Sequence, residues 1–218
     1  MTAPLVILGA TRLDTALARE AALTYFRTLP ANIQQRISRF RREEDRCART
    51  LGWWLLERVY HLHGHAGNPI LKLAHTPEGR PYISDAAGFD FNLSHAGSYV
   101  ICGGLSAGTI GVDLEPIRPV ELSDFSAVFS PAVFEKILGA NDLRHFFSYW
   151  TKLESVVKAA GLGLLAATQS IEFFETSARL NGRDWHILEI QIDADYVCHI
   201  ATDRQLDCAN VHTFIWTP

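Results

Sequence analysis

The amino-acid sequence predicts an α+β fold, and three observations support this class. Helical segments precede strand-like segments in the first half of the chain, and the same order returns in the second half. The composition, with 48% hydrophobic and 20% charged residues, is typical of a globular protein. A length of 218 residues is enough for one large domain or for two small ones, each with its own core.

The first half begins with an apolar segment. It lacks the basic residues that open a signal peptide, so we expect residues 4–8 to form a first strand. Helical periodicity follows over residues 13–29, a second helical stretch begins at Pro30, and a longer helix is expected over residues 43–61. No apolar run approaches the roughly 20 residues of a membrane-spanning helix, so we expect no membrane association.

The stretch after Pro30 is rich in arginine. A basic run can bind nucleic acid, but interleaved aromatic residues and a high pI are missing, since the pI is about 6.1. We therefore expect no nucleic-acid partner. Two interpretations stay open, a solvated helix face and a site for phosphate groups, to which arginine donates in pairs. The six arginines are Arg36, Arg39, Arg41, Arg42, Arg46 and Arg49.

Two apolar strands are expected in the middle of the chain, over residues 89–93 and 98–102. The Ser-His-Ala-Gly segment at residues 94–97 is expected to form the turn between them. A single histidine in a turn, such as His95, most often has a structural role and is hydrogen-bonded to the backbone. Glycine and proline within residues 78–82 predict another turn before these strands.

A hairpin-like connection over residues 103–108 is indicated by its glycines and leads into a further strand, residues 109–116. Alternation places Asp113 and Glu115 on one face of this strand and apolar residues on the other. Neighbouring acids on a strand repel each other unless a cation lies between them. Oxygen ligands with room for water and a phosphate suit Mg²⁺ better than Zn²⁺. The alternative is an ordinary strand that faces solvent.

Residues 146–158 predict an amphipathic helix that nothing breaks before Gly161. Glu154 and Lys158 lie one turn apart at the edge of its apolar stripe, close enough for an ion pair. A surface pair of this kind contributes only about 0.3–0.5 kcal/mol. The alternative is that both side chains face a cleft and take part in chemistry. The strands expected after this helix span residues 170–174, 185–192, 196–202 and 211–216.

Cysteine, histidine and charge add weaker constraints. Cys102 and Cys198 lie in apolar strands and are expected to be buried thiols, and a reducing cytoplasm is the simplest compartment. The histidines within residues 61–65 have no Cys or acid beside them, so we interpret them as a helix end and loop. Residues 1–112 contain 12 basic and 9 acidic residues, and residues 113–218 contain 8 and 15. The first half is therefore suited to hold an anion and the second a cation.

Three motifs, in this order and at these spacings, resemble the signature of the 4′-phosphopantetheinyl transferases of the surfactin-synthetase-activating (Sfp) type. The first is Phe-Asn-Leu-Ser-His-Ala-Gly at residues 91–97, and the second is Gly-Val-Asp-Leu-Glu at residues 111–115. The third is Trp-x-x-x-Glu-Ser-x-x-Lys at residues 150–158, followed by Gly-x-Gly-Leu at residues 161–164. The chain length is typical for this family.

The resemblance implies two similar subdomains related by a pseudo-two-fold, each a small, mainly antiparallel sheet packed with helices. Residues 1–110 would form an N-terminal subdomain that binds the phosphates of coenzyme A. Residues 111–218 would form a C-terminal subdomain with the metal-binding acids and the catalytic helix. Because one chain contains both halves of the site, we expect a monomer.

The reaction implied by the resemblance transfers 4′-phosphopantetheine from coenzyme A to a serine of an apo acyl or peptidyl carrier protein, with release of adenosine 3′,5′-bisphosphate. Asp113, Glu115 and Glu154 would hold Mg²⁺, or Mn²⁺ in its place. Lys158 would stabilise or protonate the leaving phosphate, and Glu154, or a water beside it, would accept the serine proton. His95 is a further catalytic candidate. The Gly-Arg-Pro turn at residues 79–81 resembles the family's Gly-Lys/Arg-Pro turn, whose basic residue reaches the nucleotide phosphate. The expected ligands of coenzyme A are Arg36, Arg49, Arg80, Ser94, His95 and Lys158.

Two positions depart from the family's pattern. Leu153 stands where many members have a lysine directly before the glutamate, and Lys152 is expected to face away from Glu154. Val133 stands where some members have a glutamate, and Glu135 is not assigned that role. Two other functions stay open: another Mg²⁺-dependent phosphotransferase or phosphohydrolase, and a catalytically impaired module that binds carrier proteins.

Overall fold

The computed structural model describes residues 4–163 and 170–218. The first three residues and Leu164, the last residue of the third motif, lie outside the described residues. The α-helices of the described part are α1 (Ala16–Phe26), α2 (Ala31–Ser38), α3 (Glu43–Leu62), α4 (Pro131–Ala140) and α5 (Leu143–Ala160). Its strands are β1 (Val6–Arg12), β2 (Leu73–His75), β3 (Pro81–Ile83), β4 (Asp90–Ala96), β5 (Tyr99–Leu105), β6 (Ile110–Pro116), β7 (Glu172–Phe173), β8 (Ser177–Leu180), β9 (Arg183–Glu189), β10 (Tyr196–Thr202) and β11 (Val211–Ile215).

The strands form two main sheets with helices packed against them, so the predicted α+β class is confirmed. The first sheet has the order β11-β1-β5-β4, in which β11 is parallel to β1 and the other pairs are antiparallel. The second sheet is antiparallel, with the order β6-β10-β9-β8-β7. The last strand, β11, thus returns to the sheet of the first half. The boundary at residue 110 and the pseudo-two-fold stay predictions.

The helices of the first half lie where periodicity predicts them. Helix α3 begins at Glu43, as expected, and ends at Leu62, one residue later than expected. Its first turn contains Glu43, Glu44 and Asp45, whose negative charges interact favourably with the positive end of the helix dipole. None of the helices within residues 4–163 and 170–218 is both long and apolar enough to cross a bilayer.

Two predictions about the strands are wrong. Ser94 and His95 belong to strand β4, so the turn to β5 is shorter than expected and lies at Gly97, whose φ of 54° favours glycine. The segment after residue 102 is not a hairpin, because β5 pairs within the first sheet and β6 within the second. Gly104 lies inside β5, where a Cβ would come within 2.5 Å of Val59 Cγ1. This glycine therefore permits close packing and does not form a turn.

Four elements of the described residues were not predicted from the sequence, helix α4 and the short strands β2, β3 and β8. Strand β8 is only four residues long, too short for its alternation to be distinguished from a loop. Helix α4 begins at Pro131. The backbone nitrogen of a first helical residue has no acceptor within the helix, so proline, which has no N–H, is favoured there.

Among the described residues, three buried apolar clusters form the core. One lies between α3 and the first sheet, and a second lies between α5 and the second sheet. The third joins the two sheets through β1, β5, β6 and β10, and it includes Val112 and Leu114. Each such side chain contributes about 1.5–3 kcal/mol when fully buried. The third cluster therefore fixes one sheet against the other.

Strand β6 and helix α5 lie in very close contact at Gly111. A Cβ atom at this position would overlap the carbonyl oxygen of Ser155 and the backbone nitrogen of Ala159. Helix α5 itself is defined at both ends, because the Asp142 side chain accepts a hydrogen bond from the backbone nitrogen of Arg144, and Gly161 ends the helix with a φ of 70°. The absence of a side chain at Gly111 thus brings the second and third motifs together.

We expect Gly111→Ala to lower the free energy of unfolding by about 3 kcal/mol or more, because backbone atoms of α5 cannot move aside as a flexible side chain can. Urea denaturation would measure this change in the free energy of unfolding. The matched control is Gly139→Ala in α4, where the added methyl group would meet nothing within 4 Å. Alanine in a helix should stabilise there by about 0.5–1 kcal/mol. Equal effects at both positions would contradict the packing argument.

Candidate active site

A cavity of about 710 Å³ is lined by residues of α2, α3, β4, β6 and α5. The arginines among the lining residues, which we call the cationic wall, are Arg36, Arg39 and Arg49. The carboxylates among them, which we call the acidic wall, are Asp113, Glu115 and Glu154. The remaining predicted site residues that line this cleft are Ser94, His95 and Lys158. The structure therefore brings together every predicted site residue except Arg80.

Asp113 and Glu115 face the cleft from β6, as alternation along a strand predicts, and the neighbouring Val112 and Leu114 face the core. Asp113 is buried, with 4% of its surface exposed, and its Oδ2 atom has no hydrogen-bond partner. Burial, followed by the negative charge of Asp113, raises the pKa of Glu115 to about 6. The same two causes raise the pKa of Glu154. The acidic wall is thus a concentration of like charge that a cation would relieve.

The sequence suggests an ion pair between Glu154 and Lys158 within α5. In the structure Lys158 instead pairs with Asp113, so the ion pair joins α5 to β6. Its Nζ atom donates to Asp113 Oδ1 at 2.6 Å, to Ser94 Oγ at 3.1 Å and to the carbonyl oxygen of Val112 at 3.2 Å. Ser94 in turn donates from Oγ to Asp113 Oδ1 at 3.0 Å. One residue from each of the three motifs takes part in this hydrogen-bonded group.

His95 follows Ser94 on β4 and opens onto the cleft. Desolvation by the cleft lowers the pKa of His95, and the positive charge of Arg49 lowers it further. The Arg49 guanidinium lies over the ring of Phe40, 3.8 Å from its centre, which restricts its orientation by a cation–π contact. His95 and Arg49 are thereby held on the same side of the cavity.

Arg80 has a different environment from the one its motif predicts. The residue is not among those that line the cleft, and only 14% of its side chain is exposed. Its guanidinium forms a two-point pair with the Asp90 carboxylate, at 2.7 and 2.8 Å. We therefore leave Arg80 out of the proposed ligands of coenzyme A.

The residues of the cleft that the sequence did not assign to the site include Arg39, Trp53 and His75. Arg39 lies in the arginine-rich run, where spacing alone does not separate cleft-facing residues from solvent-facing ones. His75 lies at the end of β2, a strand that the sequence did not predict, and its Nε2 atom is 3.1 Å from Arg36 Nη1. No sequence signal would have identified it.

The histidines of residues 61–65 do not point to a common centre. The ring of His65 stacks on Tyr60 at 4.6 Å, His63 packs edge-on against Phe89, and His61 Nε2 lies 2.9 Å from the carbonyl oxygen of Gly67. This geometry agrees with the expected helix end and loop.

Lys152 also behaves as expected, because its Nζ atom lies over the ring of Tyr149, away from the cleft.

The acidic wall offers three carboxylates, the type of ligand that a hard divalent cation binds, but their oxygens do not converge on one point. In the parts of the chain that the structure describes, no three His, Cys, Asp or Glu side chains are close enough together to hold an ion as placed. The unpartnered Asp113 Oδ2 atom and the raised pKa values of Glu115 and Glu154 nevertheless indicate carboxylates in need of positive charge. A set of three carboxylates suits Mg²⁺ or Mn²⁺.

Comparison with known proteins agrees with the motifs. Residues 18–106 match a family model described as 4′-phosphopantetheinyl transferase, N-terminal, and residues 109–209 match that of the 4′-phosphopantetheinyl transferase superfamily. The chain is 31% identical over 190 residues to 4′-phosphopantetheinyl transferase HetI of Nostoc sp., covering 80% of this chain and 78% of HetI. It is 25% identical over 193 residues to 4′-phosphopantetheinyl transferase Sfp of Bacillus subtilis, covering 87% and 83%. A further Bacillus subtilis relative, 4′-phosphopantetheinyl transferase ffp, is 28% identical over 157 residues, covering 70% and 69%.

The raised pKa of Glu115 predicts a pH-dependent gain in stability for Glu115→Gln in metal-free protein. Because the folded-state pKa of about 6 exceeds the ordinary 4.5, the contribution of Glu115 to stability is greatest below pH 4.5 and is lost as the pH rises through 6. Glutamine resembles the protonated side chain and avoids this loss. Above pH 6, with a chelator present, the variant should unfold at higher urea, with a gain of about 1–2 kcal/mol.

Below pH 4.5 the variant and the wild-type protein should be equally stable. Glu135→Gln, on the exposed face of α4, is the matched control and should change stability at neither pH. A gain for Glu115→Gln that is the same at both pH values would contradict the assigned repulsion.

Proposed function

The chain belongs to the 4′-phosphopantetheinyl transferase superfamily and is an enzyme of the Sfp type, and from this premise we propose that it transfers 4′-phosphopantetheine from coenzyme A to a serine of an apo acyl or peptidyl carrier protein. The observation that best supports this reaction is the contact of Ser94, Asp113 and Lys158, which joins the three motifs in one hydrogen-bonded group.

The cationic wall and its neighbours are suited to hold the phosphates of coenzyme A. Arg36 and Arg49 are the proposed ligands of the 3′-phosphate, and the position of Arg39 in the same cleft adds a third cation. Guanidinium groups bind phosphate through paired, charge-assisted hydrogen bonds. Ser94, which contacts Asp113 and Lys158, and His95, whose pKa the charge of Arg49 lowers, are further proposed ligands of the coenzyme A phosphates.

The acidic wall is the proposed site of Mg²⁺, or of Mn²⁺ in its place. Asp113, Glu115 and Glu154 would provide the ligands, with Asp113 Oδ2 as the oxygen that lacks a partner within the protein. When bound, the ion supplies charge neutralisation for the diphosphate during phosphoryl transfer. The pKa of about 6 means that Glu115 is mostly ionised at neutral pH, as a metal ligand must be.

In the proposed reaction the serine oxygen attacks the phosphorus next to pantetheine. The bond from that phosphorus to the adenosine-side phosphate breaks, and adenosine 3′,5′-bisphosphate leaves. Glu154, or a water beside it, accepts the serine proton, a role that its position in the cleft allows. Lys158, whose ammonium group Ser94 and Asp113 orient, stabilises the charge that develops on the leaving phosphate.

The partner and the surroundings follow from this chemistry. The macromolecular substrate is a carrier protein with an exposed serine, and coenzyme A is the co-substrate. Residues from both halves of one chain line the cleft, which supports action as a monomer. The cysteines, all four of them in the described residues, are free thiols, and this agrees with a reducing compartment such as the cytoplasm.

The direct test is the intact mass of an apo acyl carrier protein after incubation with this enzyme, coenzyme A and Mg²⁺. We expect the carrier to gain one phosphopantetheine with the wild-type enzyme and none with Glu154→Gln, because the amide neither accepts a proton nor provides anionic charge to the ion. Release of adenosine 3′,5′-bisphosphate without modification of several carriers would instead favour a phosphohydrolase. Binding of coenzyme A with neither outcome would favour the non-catalytic module.

Lys158→Ala should lower kcat by about 100-fold or more, because it removes a cation from the leaving phosphate, while the Kd for coenzyme A changes little. Steady-state kinetics and calorimetry would measure the two effects. Lys152→Ala is the matched control on the same helix, and its kcat should stay at the wild-type value because Lys152 points away from the cleft. Equal losses of kcat and affinity in Lys158→Ala would contradict the assigned role.

A further inference from the structure

Arg80 connects the segments that supply the reacting groups. It lies directly before β3, and its nearly buried guanidinium donates from Nη1 and Nη2 to the two carboxylate oxygens of Asp90. Nε donates to the carbonyl oxygen of Lys158 at 3.2 Å, and Nη2 donates also to the carbonyl oxygen of Ile110 at 2.7 Å. Every nitrogen of the guanidinium therefore has a partner within the protein.

Each of these partners lies at the beginning or in the last turn of an element that carries site residues. Asp90 is the first residue of β4, which leads to Ser94 and His95. Ile110 is the first residue of β6, which leads to Asp113 and Glu115. The carbonyl oxygen of Lys158 lies in the last turn of α5 and also accepts a hydrogen bond from the Gly161 nitrogen at 3.2 Å. A positive charge at this end interacts favourably with the helix dipole.

Asp90 completes this arrangement. Its Oδ2 atom accepts a hydrogen bond from the Ile110 nitrogen at 2.7 Å, in addition to the one from Arg80. Asn92, two residues further along β4, repeats the cross-link by accepting at Oδ1 from the Val112 nitrogen at 3.0 Å. Strands β4 and β6 belong to different sheets, so these side chains replace the ladder of backbone hydrogen bonds that would otherwise hold neighbouring strands in register.

We propose that Arg80 is a positioning residue that acts through Lys158, and that it does not bind a phosphate of coenzyme A; this inference rests on the proposed function. Arg80 holds the last turn of α5 against β4 and β6 and so places Lys158 Nζ beside Asp113. Binding of a phosphate by Arg80 would break hydrogen bonds to Asp90 or to the carbonyl oxygens. The electrostatic role of Asp90 is to neutralise and orient a cation that is 14% exposed.

The first experiment separates positioning from phosphate binding. Arg80→Gln and Arg80→Lys would be compared in kcat, and in Kd for coenzyme A and for adenosine 3′,5′-bisphosphate. We expect kcat to fall about 10- to 100-fold in Arg80→Gln, because small displacements of a reacting group have costs of this size. Arg80→Lys should show a smaller fall in kcat than Arg80→Gln, because the lysine ammonium keeps the positive charge although it cannot form all the hydrogen bonds. Both Kd values should stay within about threefold of the wild-type values.

Three variants provide matched comparisons. Arg49→Gln, at a proposed phosphate ligand, should show the opposite pattern, a large rise in both Kd values. Arg179→Gln breaks another arginine–aspartate pair, with Asp184, far from the cleft, and should leave kcat at the wild-type value. Asp90→Asn, which cannot itself remove a phosphate ligand, should lower kcat as Arg80→Gln does. If Arg80 were a phosphate ligand restrained by Asp90, Asp90→Asn would instead preserve or strengthen the binding of coenzyme A.

A double-mutant cycle tests whether Arg80 acts through Lys158. In a Lys158→Ala background, Arg80→Gln should lower kcat by less than about twofold, because the group that it positions is gone. A general structural role would give the same fold-loss with and without Lys158, and this outcome would overturn the proposal. A rise in Kd that matches the loss of kcat would also overturn it.

Hydrogen exchange provides a readout that needs no activity. Backbone amides in the last turn of α5 should exchange faster in Arg80→Gln and Asp90→Asn than in the wild-type protein, while α3 stays unchanged. Failure of the wild-type enzyme to modify any carrier would refute the proposed function but would leave this exchange result as evidence for the role of Arg80 in placing α5. Unchanged exchange in α5 would refute the positioning role even in an active enzyme.

Discussion

The close contact of β6 with α5 determines where the reacting groups lie. Because Gly111 has no side chain, the strand packs directly on the backbone of Ser155 and Ala159. Asp113, two residues further along β6, then comes within reach of Lys158 on α5, and their charged atoms meet at 2.6 Å. Any side chain at Gly111 would separate strand from helix and lengthen this ion pair. The position of Asp113 in the acidic wall therefore depends first on the packing of β6 against the α5 backbone and then on the ion pair with Lys158.

The charges of the cleft come from different elements. The arginines belong to α2, the residue after it and α3, and the three carboxylates belong to β6 and α5. Burial and mutual repulsion raise the pKa values of Glu115 and Glu154, so the unliganded site holds charge that the fold alone does not stabilise. Lys158 neutralises one carboxylate oxygen and leaves Asp113 Oδ2 without a partner. A site of this kind gives up some stability in the absence of ligands in order to favour their binding.

The role of Arg80 illustrates how a motif can be assigned correctly while one of its residues is not. The basic residue between Gly79 and Pro81 matches the family's turn, and the match alone implies a phosphate ligand. Its contacts are instead with Asp90, Ile110 and Lys158, inside the protein. A guanidinium has five N–H donors in a rigid fork, which lets one residue join several segments in a way that the single ammonium group of lysine does not.

The sequence by itself determined the helices other than α4, most of the strands, the α+β class and the three motifs, because periodicity and alternation act over a few neighbouring residues. It placed Asp113, Glu115 and Glu154 on faces that do line one cleft. Only the tertiary structure decided that Lys158 pairs with Asp113, that Ser94 lies within β4, that β11 joins the first sheet and that Arg80 is enclosed. These features depend on which strands become neighbours and on how closely elements pack. Such contacts join residues far apart in the chain, so no local pattern specifies them.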